Sequence, residues 1–277
     1  MMQTTLLNER YTLANGVRIP KLAFGTSPLT QAVCKDAVIT ALEIGYRHLD
    51  TAAIYDNEDA VGEAVKASGL SRSELFITTK LDARIKDPHQ VKPALMKSLD
   101  ALGMEYVDLY LIHWPKPMDE MDDDAKNYDE ANAAIFTEMA SLMKAGYIRA
   151  IGVSNFSPRD LKSLIAKTAL VPHVNQIRYH IGHTQEDTTA FCDQADILVE
   201  AYSPLSKERF IEHETLQAIA TRYGVSVAQL MLRFCIDEGR LPLPNSKTPS
   251  RIRENALLDF SIDAEDRKRL KTWTPEK

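Results

Sequence analysis

Strand-like and helix-like segments alternate eight times along the chain, and that alternation restricts its fold more than any other feature. Runs rich in apolar and β-branched residues at 22–25, ending at Asp50, and at 75–80, 106–113, 149–154, 173–176, 197–202 and 241–243 read as strands. Between them lie segments of helical spacing, at 32–44, 58–68, from Val91 through Leu95 and Leu99, and at 134–144, 158–167 and 225–236. Strands joined through a helix run parallel, because the crossover carries the chain back to its starting edge. Eight such units favour an α/β fold closed into a (β/α)8 TIM barrel over an open doubly wound sheet. The absence of G-x-G-x-x-G after the first strand agrees. Ahead of the first unit, residues 11–13 and 17–19 flank Asn15-Gly16, a pair that tolerates positive φ, and predict an N-terminal β-hairpin. No Pro-, Gly- or Ser-rich linker interrupts the pattern, and 277 residues with 44% hydrophobic content suffice for one barrel domain over 1–277.

The net charge of −6 argues against a nucleic-acid partner, which requires a basic face. Cys34, Cys192 and Cys235 are odd in number and far apart, so neither a disulfide framework nor a zinc ribbon is expected and a reducing cytoplasm fits. The first ten residues lack an apolar secretory core, and no stretch approaches the roughly 20 apolar residues of a membrane span. A soluble, unprocessed protein is expected. The acidic run from Asp119 to Asp124 reads as a solvated loop, since it lacks the carboxylate spacing and glycine of a calcium loop.

Asp50, Tyr55, Lys80 and His113 each fall at or just past the C-terminal end of an expected strand, the edge where barrels assemble their chemistry. A phenol is a poor acid near neutrality, with a reference pKa of about 10, and donates a proton efficiently only if its phenolate is stabilised. A lysine ammonium about 4 Å away, at an effective dielectric of about 20, contributes roughly 4 kcal/mol, enough to lower a pKa by up to about three units. On this reading Lys80 acidifies Tyr55, Asp50 holds Lys80, and His113 orients a carbonyl oxygen. A different reading of the same edge makes His48, Asp50 and His113, with His180 and His183 nearby in sequence, the ligands of a metal-dependent barrel hydrolase.

The chain resembles the aldo-keto reductase family, in its shorter bacterial-type form, over nearly its whole length. The resemblance rests on residues 15–17 and 24–26, 45–55, 57–62, 108–115, 151–156, Asn175-Gln176, 201–205, and the segment from Ser246 to Asn255. It implies an NADPH-dependent carbonyl reductase on a (β/α)8 barrel, with Tyr55 as proton donor, Lys80 and Asp50 as its tuning pair and His113 orienting a small aldehyde or ketone. It further implies that Gly25 and Thr26 contact the cofactor, that Ser154, Asn155 and Gln176 hold the nicotinamide carboxamide, that Tyr202 stacks beneath the ring, and that Ser203 and Leu205 follow the pyrophosphate. Ser246, Lys247, Thr248 and Arg251 would hold a phosphate at a short helix start, with Glu254 and Asn255 on the adenine. A monomer without metal is implied, and a non-catalytic barrel that keeps the cofactor pocket is the other role found among relatives.

The chain departs from the family's pattern at several positions. Asn245 stands where many relatives carry a lysine for the 2′-phosphate, so NADH use enters beside NADPH. Ser27 and Asp82 replace frequent aromatics while Trp114 is kept, which predicts an open, polar substrate pocket in which Asp82 and the acidic run repel anionic keto acids. The chain ends at Lys277, soon after the helix expected over 264–271, so the long C-terminal loop of many animal members is expected to be absent.

Overall fold

The computed structural model describes residues 5–123, 125–206 and 208–274; Asp124, the end of the acidic run, and the chain's last three residues lie outside them. Strands β1 (Arg10–Thr12) and β2 (Arg18–Pro20) pair antiparallel, with Gly16 at φ +83° in the turn between them. Eight parallel strands follow in sequential order: β3 (Phe24–Gly25), β4 (His48–Asp50), β5 (Phe76–Leu81), β6 (Val107–Ile112), β7 (Ile148–Ser154), β8 (Val174–Arg178), β9 (Leu198–Tyr202) and β10 (Leu241–Leu243). The seam closes through backbone bonds, from the Ala23 N–H to the Pro242 carbonyl at 3.2 Å and from the Gly25 N–H to the Pro244 carbonyl at 3.0 Å. A side chain at Gly25 would put its Cβ 3.2 Å from the Leu243 carbonyl oxygen, so glycine permits this approach. The expected (β/α)8 barrel with its hairpin is therefore what forms.

Period-two alternation divides the core in two. Leu109 and Leu111 of β6 join Phe76, Ala150, Val174 and Leu241 inside the barrel, where Leu13 and Ile19 of the hairpin pack against them. Tyr110 and Ile112 point outward to the helical shell. That shell comprises α1 (Gln31–Ile44), α2 (Glu58–Ser68), α3 (Val91–Leu102), α4 (Asp129–Lys144), α5 (Pro158–Thr168), α6 (Glu186–Gln194), α7 (Glu208–Ile211), α8 (Glu214–Arg222), α9 (Val227–Asp237), α10 (Pro249–Glu254) and α11 (Ala264–Thr272). Helix α4 begins five residues before its apolar pattern does, because Asp129 and Glu130 fill its first turn, where carboxylates favour the helix dipole without adding an apolar stripe. At the N-terminal ends of the strands, buried Asp108 accepts from Arg72 at 2.6 Å, Arg149 at 2.7 Å and the Ile77 N–H at 2.9 Å, tying β5, β6 and β7 together. The opposite ends are thereby free to carry polar side chains. Among the described residues no helix is long and apolar enough to cross a membrane.

Candidate active site

Every residue of β5 is buried, and the strand delivers Lys80 into the upper barrel with no exposed surface at all. Its ammonium donates to Asp50 Oδ1 at 2.7 Å, to the Thr51 carbonyl at 2.8 Å and to the Tyr55 hydroxyl at 3.4 Å. Burial opposes the charge, but Asp50 and Tyr55 more than offset it and hold the Lys80 pKa above its ordinary value. Tyr55 sits on the single helical turn after β4. Burial raises the Tyr55 pKa, while Lys80 and a hydrogen bond from Ser27 pull it down; burial wins. The expected pull of Lys80 on the phenol is present, but burial outweighs it, because no residue pattern reveals how much water the phenol loses. His113, one residue beyond β6, meets Tyr55 edge-on at 5.6 Å between ring centres. Burial, followed by the Lys80 charge, depresses its pKa to about 3, so the imidazole is neutral at physiological pH.

Asp50, Tyr55 and His113 line one cavity of about 470 Å³ at the C-terminal rim, with Gly25, Ser27, Trp114, Ser154, Asn155, Gln176, Tyr202 and Ser203 around them. Tyr202 donates its hydroxyl to Asn155 Oδ1 at 2.9 Å, and Asn155 Nδ2 donates to Ser154 Oγ at 3.0 Å and to the His113 carbonyl at 3.2 Å. Gln176 donates its side-chain amide to Asp50 Oδ2 at 2.8 Å and to Glu200 Oε2 at 2.7 Å. A second cavity of about 300 Å³ is lined by Leu205, Ser246, Arg251, Glu254 and Asn255, and Asn245 borders both spaces. Together they form an elongated path with an amide-rich end beside Tyr55 and an arginine at the other. That shape and donor set fit a dinucleotide carrying a phosphate at its far end.

Some expected positions lie elsewhere. Thr26 is buried behind the wall, where its hydroxyl donates to the Asp50 carbonyl at 3.1 Å. Lys247 is exposed and Thr248 stands at the N-cap position of α10, its N–H donating to Ser246 Oγ at 3.0 Å; neither is in the lining of the second cavity. Asp82 is also off the cavity lining, and its carboxylate takes two bonds from Arg84 Nε, at 3.1 and 3.0 Å. The expected repulsion of anionic substrates by Asp82 is thus blunted by its own near neighbour. Among the described residues the histidines do not gather into a metal site. His48 Nε2 bonds Thr78 Oγ1 at 2.9 Å inside the barrel, whereas His180 and His183 face one another across a turn after β8.

Three features escaped the sequence reading. Ile54 and Met118 supply apolar wall, Met118 at 60% exposure over the mouth. Asn245 donates to the Ser27 carbonyl and so links the loops after β10 and β3. Glu200, fully buried on β9, has one carboxyl oxygen with no partner among the described residues. Burial, and then the nearby Asp50 charge, drives its pKa well upward. Its register opposite Gln176 was the missing signal, since a lone glutamate in a strand usually faces water.

Known proteins share this architecture. The model of the aldo/keto reductase family matches residues 21–273. A methylglyoxal reductase of Yersinia pestis is 40% identical over 257 residues, covering 92% of this chain and 88% of its own. A glyoxal reductase of Bacillus subtilis is 38% identical over 264 residues, covering 95% and 91%. A solved Bombyx mori aldo-keto reductase in complex with NADP superposes with a TM-score of 0.86 at 36% identity, covering 95% of this chain and 92% of that one.

Proposed function

The chain belongs to the aldo-keto reductase family, an NAD(P)H-dependent oxidoreductase family, and we propose that it reduces small aldehydes and ketones to alcohols with Tyr55 as the proton donor. One observation carries the assignment of roles: a fully buried ammonium shared between Asp50 and the Tyr55 hydroxyl, beside a cavity at the C-terminal rim. The relatives named for methylglyoxal and glyoxal reduction support small dicarbonyls as substrates.

When bound, the reduced nicotinamide supplies hydride to the carbonyl carbon. Charge then builds on the carbonyl oxygen, and Tyr55 delivers its proton there. A pKa raised by burial keeps that proton on the phenol before reaction. Lys80 lowers the cost of the phenolate once it forms, which is when the stabilisation accelerates the step. Asp50 keeps Lys80 charged and aimed. Among the described residues the buried Nδ1 of His113 has no hydrogen-bond partner, and in the tautomer protonated on Nε2 the neutral ring would donate into the cavity. A donor at that position orients the carbonyl and stabilises its developing charge.

Ser154, Asn155 and Gln176 would hold the carboxamide end of the cofactor, Tyr202 would lie under its ring, and Arg251 with Ser246 would take the far phosphate. An assay of NADPH oxidation with methylglyoxal, glyoxal and a simple ketone tests the assignment. Turnover that survives Tyr55→Phe undiminished would remove Tyr55 from the role, and no turnover on any carbonyl would favour the non-catalytic reading.

A further inference from the structure

On the face opposite the catalytic rim, four arginines line one cavity of about 350 Å³: Arg10 and Arg18 of the hairpin, Arg47 just before β4, and Arg149 of β7. The cluster is conspicuous in a chain whose net charge is −6. Among the described residues Arg10, Arg18 and Arg47 pair with no carboxylate. Arg10 is held instead by the Leu7 and Glu9 carbonyls at 2.9 and 3.0 Å, and Arg47 by the Leu42 and Tyr46 carbonyls at 3.0 and 2.8 Å. In both cases one terminal nitrogen is used, and the rest of each guanidinium fork has no acceptor among the described residues. The Arg18 side chain makes no hydrogen bond among the described residues.

Nearby carboxylates are engaged elsewhere. Glu9 binds Lys21 at 2.7 Å, Asp108 is shared by Arg72 and Arg149, and Glu74, the one acidic residue among the described residues bordering the cavity, accepts from the Ser71 N–H at 2.9 Å. Burial, and then the charges of Arg18 and Arg47, lower the Arg10 pKa. A purely stabilising role fits poorly, because unpaired like charges destabilise the folded state. Fixing guanidinium groups on neutral carbonyls preserves their charge while setting their direction, and that is what recognition of an oxyanion needs.

We propose that this cavity at the N-terminal face of the barrel is a binding site for a compact multivalent oxyanion, a diphosphate or a tricarboxylate, separate from the cofactor path. Such a ligand is small enough to enter and carries enough charge to neutralise the cluster. Arg18, the exposed member with no structural bond, contributes attraction and not scaffolding.

The test is calorimetric titration of sodium pyrophosphate, and separately of citrate, into the full chain at low ionic strength with NADPH present in saturating amount. One equivalent of at least one anion is expected to bind, and Arg18→Glu should weaken it by about tenfold or more, the loss of one charge-assisted contact. Which anion binds identifies the ligand as phosphate or carboxylate. Arg251→Ala should leave this binding intact, and carbonyl reduction by Arg18→Glu should match wild type. In anion-free buffer Arg18→Ala should unfold at a higher temperature than wild type, with the difference erased by the anion that binds. Absence of binding by both anions, binding unaffected in Arg18→Glu, or binding abolished by Arg251→Ala overturns the proposal.

Discussion

Gln176 and Glu200 stand opposite each other in register on β8 and β9, and the amide of the first donates to the carboxyl of the second at 2.7 Å. The same amide nitrogen also donates to Asp50, so an uncharged side chain separates two buried acids. One of them, Asp50, pairs directly with the Lys80 ammonium; among the described residues the other is hydrogen-bonded by Gln176, with the edge of His48 3.9 Å from its second oxygen. Glu200 is therefore held in the neutral form as pH rises past the ordinary carboxylate range.

That raised pKa has a defined sign in stability. Folded protein retains the Glu200 proton where unfolded protein, titrating at about 4.3, has lost it, so the stabilisation is complete below that value. It is lost as pH rises through the folded pKa. Wild type should lose melting temperature between pH 6 and pH 9 more steeply than Glu200→Gln, which keeps a neutral amide in place. Parallel slopes in thermal unfolding would show that Glu200 is already ionised in the fold.

His113 and His48 titrate the other way. Burial depresses both to about 3, so each contributes stability that is present above about pH 6.5 and lost as pH falls toward 3. Between pH 5 and pH 8 the activity profile should contain no ionisation from His113, and its Nε2 should report as protonated, with Nδ1 bare, in nitrogen NMR over that span. An imidazolium signal for His113 at pH 6 would contradict the assignment of a neutral donor.

Replacing Tyr55 by Phe should reduce kcat by about 10²- to 10⁴-fold, the range for removing a positioned general acid, while NADPH affinity measured by fluorescence titration stays near wild type. Lys80→Met should reduce kcat comparably and in addition destabilise the fold, since it leaves the Asp50 carboxylate buried without its cation; breaking such a pair costs about 3–5 kcal/mol. A Lys80→Met protein with full activity would dissociate the ammonium from the chemistry.

Arg251 borders the second cavity, whereas Lys247 is exposed and not part of its lining, and Asn245 is committed to the Ser27 carbonyl. Preference for NADPH over NADH should accordingly depend on Arg251 alone among these three. Steady-state kinetics should show kcat/KM for NADPH falling roughly tenfold in Arg251→Ala, with NADH little affected, consistent with loss of one charge-assisted contact. An equal fall with both cofactors would place Arg251 outside phosphate recognition.

Asp82 and Arg84 give a charge test at the mouth. With Arg84 present, a keto acid and a neutral dicarbonyl of similar size should differ little because of Asp82. Arg84→Ala uncovers the carboxylate and should lower kcat/KM for the keto acid selectively, an effect that 0.5 M salt diminishes by screening.

The barrel was legible because apolar, β-branched strands recur between helical patterns, and the four rim residues because each closes such a strand. Gly45 to Tyr55 and Asp108 to His113 announce themselves by composition as well as position. What sequence withheld depends on desolvation and on neighbours far away in the chain. The Tyr55 shift reverses because the surrounding wall excludes water, and Glu200 matters only through strands that place Gln176 and Asp50 beside it. Asp82 failed differently: its partner stands two residues on, but an ion pair between such neighbours depends on a turn that the residue pattern did not mark.

Because the contacts of Ala23 with Pro242 and of Gly25 with Pro244 join opposite ends of the polypeptide, the cylinder cannot be completed on the ribosome until the segment carrying residues 241–244 has emerged. Nascent chains stopped short of that point present an unsatisfied edge on β3, a docking strip for chaperones or for sister chains. Moving the termini by circular permutation to a loop elsewhere would make the two seam strands neighbours in synthesis order and shorten that exposed interval.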